Sequence, residues 1–338
     1  MRLNLAIILF LILSCKSPEK IDENTNNIFS IVIHGGAGTI LKKNMTKEME
    51  ANYRKKLEES IKVGYQILEN GGSSQEAVEK TIHIMENSPL FNAGKGAVLN
   101  FDGRVELDAS FMNGLTLDAG AISGASKIKN PISAAIAVMK NSPHVMLSGS
   151  GADEFARIQK LELKPNSYFL TERRVKALEK VKLNSASVMF KENEYFLAQK
   201  YGTVGCVALD KDGNISSGTS TGGMTNKKWN RIGDAPIIGA GTYANNKTCG
   251  VSATGWGEFF IRAVVAYDIS ALMEYRGLSV EEASKVVIHE KMGKLGGNGG
   301  VIALDNKGNV AMVMNTDGMY RAHMDSKGNK TIKIYGDE

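Results

Sequence analysis

Apolar residues along the chain follow two alternating patterns. Short runs rich in β-branched residues, beginning with Ile28 to Ile33, predict strands. Longer stretches repeat apolar residues at helical spacing, and the clearest starts at Thr46, stops before Gly71-Gly72 and carries Met49, Tyr53, Leu57, Ile61 and Leu68. This alternation predicts a mixed α/β domain.

Local signals predict where further elements begin and how the strands pair. Ser73 and Glu76 have the spacing of a capping box, and Asn130-Pro131 predicts a helix with proline at its first position. Three stretches have the form of a hairpin, namely Val98 to Ala109, Val204 to Thr219 and Val301 to Met314. Hairpins imply antiparallel sheets, and no GxGxxG motif follows a strand, so a Rossmann fold is not expected.

The first 27 residues differ from the rest. Arg2 is followed by an apolar run from Leu3 to Leu13, which is too short to span a bilayer and is typical of a secretory signal peptide. Ile12-Leu13-Ser14-Cys15 resembles a bacterial lipobox, so we expect a signal peptide over 1–14 and lipidation at Cys15. Residues 15–27 are polar and predict a flexible tether, with the folded domain at 28–338.

Composition excludes several classes of protein. The 338 residues are 43% hydrophobic and 23% charged, which is ordinary for a globular chain, and only glycine, with 36 residues, is unusually frequent. The net charge of +5 is spread along the chain without a basic stripe, so we expect no nucleic-acid partner. The cysteines form no CxxC pair, and Cys206 and Cys249 lie in apolar, strand-like stretches, which favours separate buried thiols.

Common catalytic motifs are missing from the sequence. Gly293 stands where a zincin beginning at His289-Glu290 needs a second histidine, and there is neither a P-loop nor a GxSxG elbow. The sequence changes character at Gly202, where a Lys- and Glu-rich stretch gives way to the apolar strand Thr203 to Leu209. Glycine- and threonine-rich segments then follow, with a few charged residues.

These segments carry the resemblance to a known family. Along the chain lie His34-Gly35-Gly36-Ala37-Gly38, Phe91-Asn92-Ala93-Gly94, Leu107-Asp108-Ala109, Gly202-Thr203-Val204-Gly205, Thr219-Ser220-Thr221-Gly222-Gly223, Arg231-Ile232-Gly233-Asp234-Ala235-Pro236 and Thr254-Gly255-Trp256-Gly257-Glu258. In these motifs and their order the chain resembles the plant-type L-asparaginases and isoaspartyl peptidases, a family of N-terminal-nucleophile (Ntn) hydrolases. The resemblance implies an α/β (α+β) fold, specifically a four-layer αββα sandwich with antiparallel sheets.

The resemblance also implies self-cleavage between Gly202 and Thr203, giving subunits 28–202 and 203–338 that remain associated as a dimer of such pairs. Elementary chemistry agrees, because a threonine hydroxyl needs a base and cleavage would create one in the new α-amino group of Thr203. Gly202, which lacks a side chain, would leave its carbonyl open to attack.

Further roles follow from the resemblance position by position. Thr221 corresponds to the threonine that orients the nucleophile, and Thr254 and Gly255 correspond to the oxyanion hole. Arg231 and Asp234 correspond to the pair that holds the α-carboxylate and α-ammonium of the substrate. Two further positions, Gly257 and Asn92, correspond to a contact with the substrate ammonium and to an asparagine beside the cleavage site, and we expect both to contribute to substrate binding.

The resemblance implies no organic cofactor, but it does imply a bound sodium ion. The loop Met85 to Lys95 matches one that binds sodium through main-chain carbonyls, with expected ligands Met85, Glu86, Ser88, Phe91, Ala93 and Lys95. Lys95 is an unusual charge in that loop, and Trp256 is bulkier than expected between its two glycines, which leaves the preferred leaving group open.

The sequence therefore predicts an enzyme that hydrolyses β-aspartyl dipeptides and the asparagine side-chain amide through an acyl-enzyme on Thr203. The substrate would be a small molecule or dipeptide, and the only membrane contact would be the lipid anchor, in the cell envelope as a periplasmic or surface lipoprotein. Two alternatives stay open: a glycosylasparaginase acting on N-acetylglucosaminyl-asparagine, and a catalytically silent surface lipoprotein of the same fold. The glycines at positions 202 and 222 argue against a glycosylasparaginase.

Overall fold

The computed structural model describes residues 28–187 and 202–338. The predicted signal peptide, Cys15 and its tether, and the chain just before Gly202 lie outside these residues. Within the described part, no helix combines the length and the apolar character needed to cross a bilayer.

The helices begin where the sequence places capping residues. Thr46 accepts a hydrogen bond from the backbone N–H of Met49, and Ser73 accepts one from Glu76. The α-helices are α1 (Lys47–Glu69), α2 (Ser74–Glu86), α3 (Pro131–Asn141), α4 (Gly149–Ile158), α5 (Glu172–Ser187), α6 (Gly257–Ala263), α7 (Val265–Arg276) and α8 (Val280–Lys285), the last continued by a π-helical turn over Val286–Met292. The expected starts of α1, α2 and α3 are confirmed.

The strands of the described residues form two sheets. The strands are β1 (Ser30–Gly38), β2 (Leu107–Asn113), β3 (Ala119–Ala125), β4 (Met146–Ser148), β5 (Val204–Leu209), β6 (Ile215–Thr221), β7 (Thr242–Ala244), β8 (Cys249–Gly255), β9 (Gly299–Asp305), β10 (Val310–Met314), β11 (Gly318–Asp325) and β12 (Lys330–Tyr335). One sheet has the order β12-β11-β1-β5-β6-β2-β3-β4 and the other β10-β9-β8-β7. All neighbours pair antiparallel except β3 and β4.

Alternation along the strands places the two sheets face to face with helices outside. Val32, Val207 and Ile302 point into the core between the sheets, whereas Ile31 and Cys206 point toward α1 and α2. A third core packs α6, α7 and α8 against the outer face of the smaller sheet. The four-layer αββα sandwich is therefore confirmed.

One expected hairpin is wrong. Val98 to Glu106 does turn at Asn100 to Gly103, but only Leu107–Asn113 forms a strand there. The turn is closed by Asn100 N–H donating to the Arg104 carbonyl, but the backbone of Leu99 accepts a hydrogen bond from Asn226 and Phe101 donates one to Lys227, so the residues beside the turn pair with a distant loop and form no two-stranded ladder. The hairpins β5–β6 and β9–β10 are confirmed.

Cys206 and Cys249 are separate buried thiols, as expected. Cys206 lies between the larger sheet and its helices, and Cys249 lies between the smaller sheet and its own helices. Both sheets stand between the two sulfur atoms, so they cannot meet in a disulfide. Burial raises the pKa of both thiols, that of Cys249 to about 12.

Candidate active site

Thr203 lies directly before β5, beside the end of β6. The register pairs Val204 with Ser220, which brings Thr203 next to Thr221. The hydroxyl of Thr203 donates to that of Thr221 at 3.2 Å, and Thr221 Oγ1 also accepts from the backbone N–H of Gly223 at 3.0 Å. Thr203 is 8% exposed, so its hydroxyl is held in place and largely shielded from bulk water.

The Gly202-Thr203 peptide packs against the glycine-rich end of β1. A Cβ built on Gly36 would lie 2.0 Å from the Cα of Gly202, and one built on Gly202 would lie 2.9 Å from the carbonyl oxygen of Gly35. Gly36 also has a φ of +113°, which side chains disfavour. This close approach needs glycine at both Gly36 and Gly202. The two positions are 166 residues apart in sequence, so only the fold shows that they meet.

The smaller sheet supplies Thr254 to the same place. Its Oγ1 lies 3.4 Å from the backbone nitrogen of Thr203 and accepts from the N–H of Ala37 at 3.2 Å. Gly255 follows, packed so closely on β9 that a Cβ would lie 2.6 Å from the carbonyl oxygen of Asn298. The structure therefore brings Thr203, Thr221 and Thr254 together at the edge where the two sheets meet.

Asn92 ties a loop to the turn after Thr221. Its side-chain amide donates to the carbonyl of Gly223 at 2.7 Å, its Oδ1 accepts from Val98 N at 2.8 Å, and its own carbonyl accepts from Gly222 N at 3.2 Å. These contacts support the Thr221 turn. A substrate contact by Asn92 stays a prediction.

Arg231, Asp234 and Gly257 form a compact charged cluster. A Cβ on Gly257 would lie 2.8 Å from Arg231 Nη2 and 2.9 Å from Asp234 Oδ1, so only glycine fits between them. Arg231 makes a bidentate pair with Glu258, with Nε and Nη2 each 2.8 Å from a carboxylate oxygen. Gly257 also begins α6, two residues after Gly255, which links this cluster to Thr254.

Asp234 is a carboxylate suited to bind a cation. It is 5% exposed, and its Oδ2 has no hydrogen-bond partner among the described residues. Burial raises its pKa to about 7, against the opposing effect of Arg231. A buried carboxylate oxygen without a donor gains most from a ligand N–H, such as a substrate ammonium.

Lys227, Glu106 and Asp108 form a second group of charges. Lys227 is 3% exposed, and its ammonium lies 3.4 Å from Glu106 and 4.0 Å from Asp108. A Cβ on Gly223 would lie 3.0 Å from this ammonium, so the group borders the turn after Thr221. Burial raises the pKa of Asp108, while Lys227 and Arg231 lower it.

Sequence reasoning assigned no role to Lys227, Glu258 or His34. Glu258 and His34 stand inside quoted motifs, but their partners lie 27 and 169 residues away in sequence. No spacing rule connects residues so far apart. Lys227 carried no signal beyond its place in the loop between two motifs.

The expected sodium loop follows α2 directly. A Cβ on Gly94 would lie 2.3 Å from the Glu86 carbonyl oxygen, and one on Gly96 would lie 2.1 Å from that of Phe91, so two expected ligand oxygens face glycines. The Glu86 side chain is directed elsewhere, toward Ser220 at 2.6 Å and the first turn of α3. No three His, Cys, Asp or Glu side chains of the described residues cluster as a metal site.

The fold and site define an Ntn-type hydrolase, and comparison with known proteins gives the family. The chain belongs to the asparaginase family, whose model matches residues 27–334. It is 48% identical to the isoaspartyl peptidase of Escherichia coli K12 over 306 residues, which cover 90% of this chain and 95% of that protein. It is also 43% identical to a putative isoaspartyl peptidase/L-asparaginase of Dictyostelium discoideum (87% and 92% covered) and 40% identical to a probable isoaspartyl peptidase/L-asparaginase 2 of Arabidopsis thaliana (91% and 99% covered).

Proposed function

We propose that this protein is an isoaspartyl peptidase and L-asparaginase that hydrolyses β-aspartyl dipeptides and the side-chain amide of asparagine. The observation that carries the proposal is the position of the Thr203 hydroxyl, which donates to Thr221 Oγ1 at 3.2 Å. Thr254 contacts the Thr203 nitrogen at 3.4 Å and stands three residues before Gly257, which packs on Arg231 and Asp234. The names of the relatives agree with this activity.

Maturation begins with attack of the Thr203 hydroxyl on the carbonyl carbon of Gly202. The peptide C–N bond breaks, the Thr203 nitrogen takes up a proton, and an ester links Gly202 to Thr203 Oγ1. Water then hydrolyses the ester, leaving subunit 28–202 with a carboxylate at Gly202 and subunit 203–338 with a free amino group at Thr203. An α-amino group ordinarily has a pKa of about 7.7 to 8.0, so the one created at Thr203 can serve as a base.

Hydrolysis uses the same hydroxyl. The Thr203 amino group takes the proton of Oγ1, which attacks the β-carbonyl of the substrate while Arg231 holds the α-carboxylate and Asp234 the α-ammonium. Thr254 and Gly255 stabilise the oxyanion, and the proton passes to the departing amine or ammonia. Water then cleaves the aspartyl ester and releases aspartate. Gly257 and Asn92 complete the substrate pocket.

The test is the intact mass of the purified protein beside its Thr203→Ala variant. Wild type should yield two fragments, the second beginning at Thr203, and the variant should stay whole. Cleaved protein is then assayed with β-aspartyl-leucine, asparagine and N-acetylglucosaminyl-asparagine. Preference for the glycosylated substrate would indicate a glycosylasparaginase, and an uncut, inactive wild type would indicate a silent binding protein.

Sodium is the proposed structural cation of the Met85 to Lys95 loop. The hard carbonyl oxygens of Glu86 and Phe91, brought close by Gly94 and Gly96, suit a cation of this kind. We expect a higher melting temperature in sodium chloride than in choline chloride at equal ionic strength. Equal melting temperatures would contradict the proposal.

Attachment to the cell envelope through Cys15 is the proposed localisation. The family match begins at residue 27, so the signal-like and lipobox-like segment precedes the matched domain. Lipidation should raise the mass of the N-terminal fragment and place it in the membrane fraction, and Cys15→Ser should release it. Recovery of the wild-type protein in the cytosol would contradict this.

The proposed assembly is a dimer of cleaved pairs. Light scattering of the purified, cleaved protein measures the mass of the assembly and so tests this proposal.

A further inference from the structure

A chain of hydrogen-bonded side chains runs between the two sheets and ends at Thr203. His34, on β1, has its Nδ1 2.9 Å from the carbonyl oxygen of Thr203 and its Nε2 2.9 Å from Ser252 Oγ. Both His34 and Ser252 are fully buried. A Cβ on Gly205 would lie 2.0 Å from Ser252 Oγ and 2.3 Å from His34 Nε2, so this glycine makes room for the contact.

From Ser252 on β8 the hydroxyl contacts continue across the core. Thr219 Oγ1 lies 2.6 Å from Ser252 Oγ, Thr242 Oγ1 lies 2.5 Å from Thr219 Oγ1, and Ser110 Oγ lies 2.7 Å from Thr242 Oγ1. These four residues stand on four strands of both sheets, and each is fully buried. Ser110 also reaches the carbonyl of Ala235 at 2.5 Å, beside Asp234.

The direction of the protons next to His34 follows from its contact with Thr203. A carbonyl oxygen only accepts, so His34 Nδ1 must carry the hydrogen that binds Thr203. Burial lowers the pKa of His34 to about 3, against the hydrogen bond to Thr203, so the ring is neutral and Nε2 must accept. Ser252 therefore donates to His34.

Two further hydroxyls then point the same way. Because the proton of Ser252 is donated to His34, Thr219 donates to Ser252 and Thr242 donates to Thr219. Ser110 donates to the carbonyl of Ala235, which is its shorter contact, so the ordered donors end at Thr242. Thr219 also lies near the Gly241 carbonyl, at 3.1 Å, but the contact with Ser252 is shorter. The only ring tautomer compatible with this order is the one protonated at Nδ1.

Thr203 needs such support more than its neighbours do. The pairing of β5 with β1 ends at Gly205, and its pairing with β6 ends at Val204, so Thr203 stands beyond both ladders. On the proposed function, cleavage also removes its covalent link to Gly202. The carbonyl of Thr203 then remains as the backbone group that can fix the direction of its amino group and hydroxyl.

We propose that the hydroxyl chain fixes His34 as the Nδ1–H tautomer and that His34 is a positioning residue for Thr203. This inference rests on Thr203 being the nucleophile. It assigns to the buried hydroxyls Thr219, Thr242 and Ser252 an effect on the reaction without contact with the substrate.

The first test compares Ser252→Ala with the matched control Ser217→Ala. Ser217 is a fully buried serine that donates across the sheets to the carbonyl of Val251 at 2.7 Å, but it does not join the chain to His34. We expect Ser252→Ala to lower kcat about tenfold, with KM changed less than about twofold, since the nucleophile is displaced but the substrate clamp is not. Ser217→Ala should keep the wild-type kcat.

Activity is expressed per free Thr203 N-terminus, counted by intact mass, so that incomplete cleavage is not mistaken for slow hydrolysis. Equal kcat values for the two variants would overturn the inference. If wild type and Ser217→Ala are both uncut and inactive, the proposed function fails instead, and the tautomer measurement still decides the structural part.

That measurement is the ¹⁵N spectrum of histidine-labelled protein. In the wild type the Nδ1 of His34 should carry the directly bonded proton at neutral pH, and a proton on Nε2 would refute the chain. As a rescue, His34→Asn places an amide donor near the position of Nδ1, whereas His34→Gln places it near Nε2. We expect His34→Asn to retain more kcat than His34→Gln, and the reverse order would contradict the positioning role.

Discussion

The close approach of Gly36 to Gly202 allows a quantitative test by Gly36→Ala. The added Cβ would lie 2.0 Å from the Cα of Gly202, about 1.5 Å inside ordinary carbon–carbon contact. The Cα of Gly202 is a backbone atom and the alanine Cβ is fixed by its own backbone, so no flexible side chain can move aside. The left-handed φ of +113° adds about 1–2 kcal/mol of strain, and overpacking adds about 1–3 kcal/mol.

If Gly202 moves by about 1 Å or more to relieve the clash, its carbonyl leaves the path of the Thr203 hydroxyl. Misplacement of this size costs about 100-fold in rate, so Gly36→Ala should cleave itself about 100-fold more slowly than wild type. The matched control is Gly71→Ala, because Gly71 also has a left-handed φ, +81°, but nothing lies within 4 Å of its Cβ position.

The assay follows intact mass against time after purification, with melting temperatures recorded in parallel. Gly71→Ala should lose about 1–2 kcal/mol of stability and cleave at the wild-type rate. Gly36→Ala should be destabilised further and remain largely whole. Equal cleavage rates for the two variants would refute the reasoning that this contact positions the scissile peptide.

Three further predictions concern the charged residues of the site and the buried cysteines. Because burial raises the pKa of Asp234 to about 7, its negative charge is lost as the pH falls through 7, so kcat/KM should decline on the acid side. Asp234→Asn should make that limb shallower, because only protonation of the Thr203 amino group then contributes to it, and a limb of unchanged slope would argue against a titrating Asp234. Arg231→Lys should raise KM at least tenfold with a smaller change in kcat, since lysine cannot make the bidentate contact that Arg231 makes with Glu258; an unchanged KM would argue against carboxylate binding there. Cys206 and Cys249 should react with a thiol reagent only after denaturation, because both are buried and their pKa values are raised, and rapid labelling of the native protein would contradict their placement.

The sequence by itself determined much of the local structure. Caps at Thr46 and Ser73, proline at position 131, and the turns between β5 and β6 and between β9 and β10 depend on residues within a few positions of one another. The order of the glycine- and threonine-rich motifs also indicated the family, and with it the layered fold.

Only the tertiary structure decided which of these motifs touch. The Val98 to Glu106 stretch failed to form a hairpin because its backbone groups pair with Asn226 and Lys227, more than 100 residues away. For the same reason no local pattern could show that Gly36 packs on Gly202 or that Glu258 holds Arg231. The proton order from Thr242 to His34 depends on four strands of two sheets, and the pairing and stacking of strands set those distances, not spacing along the chain.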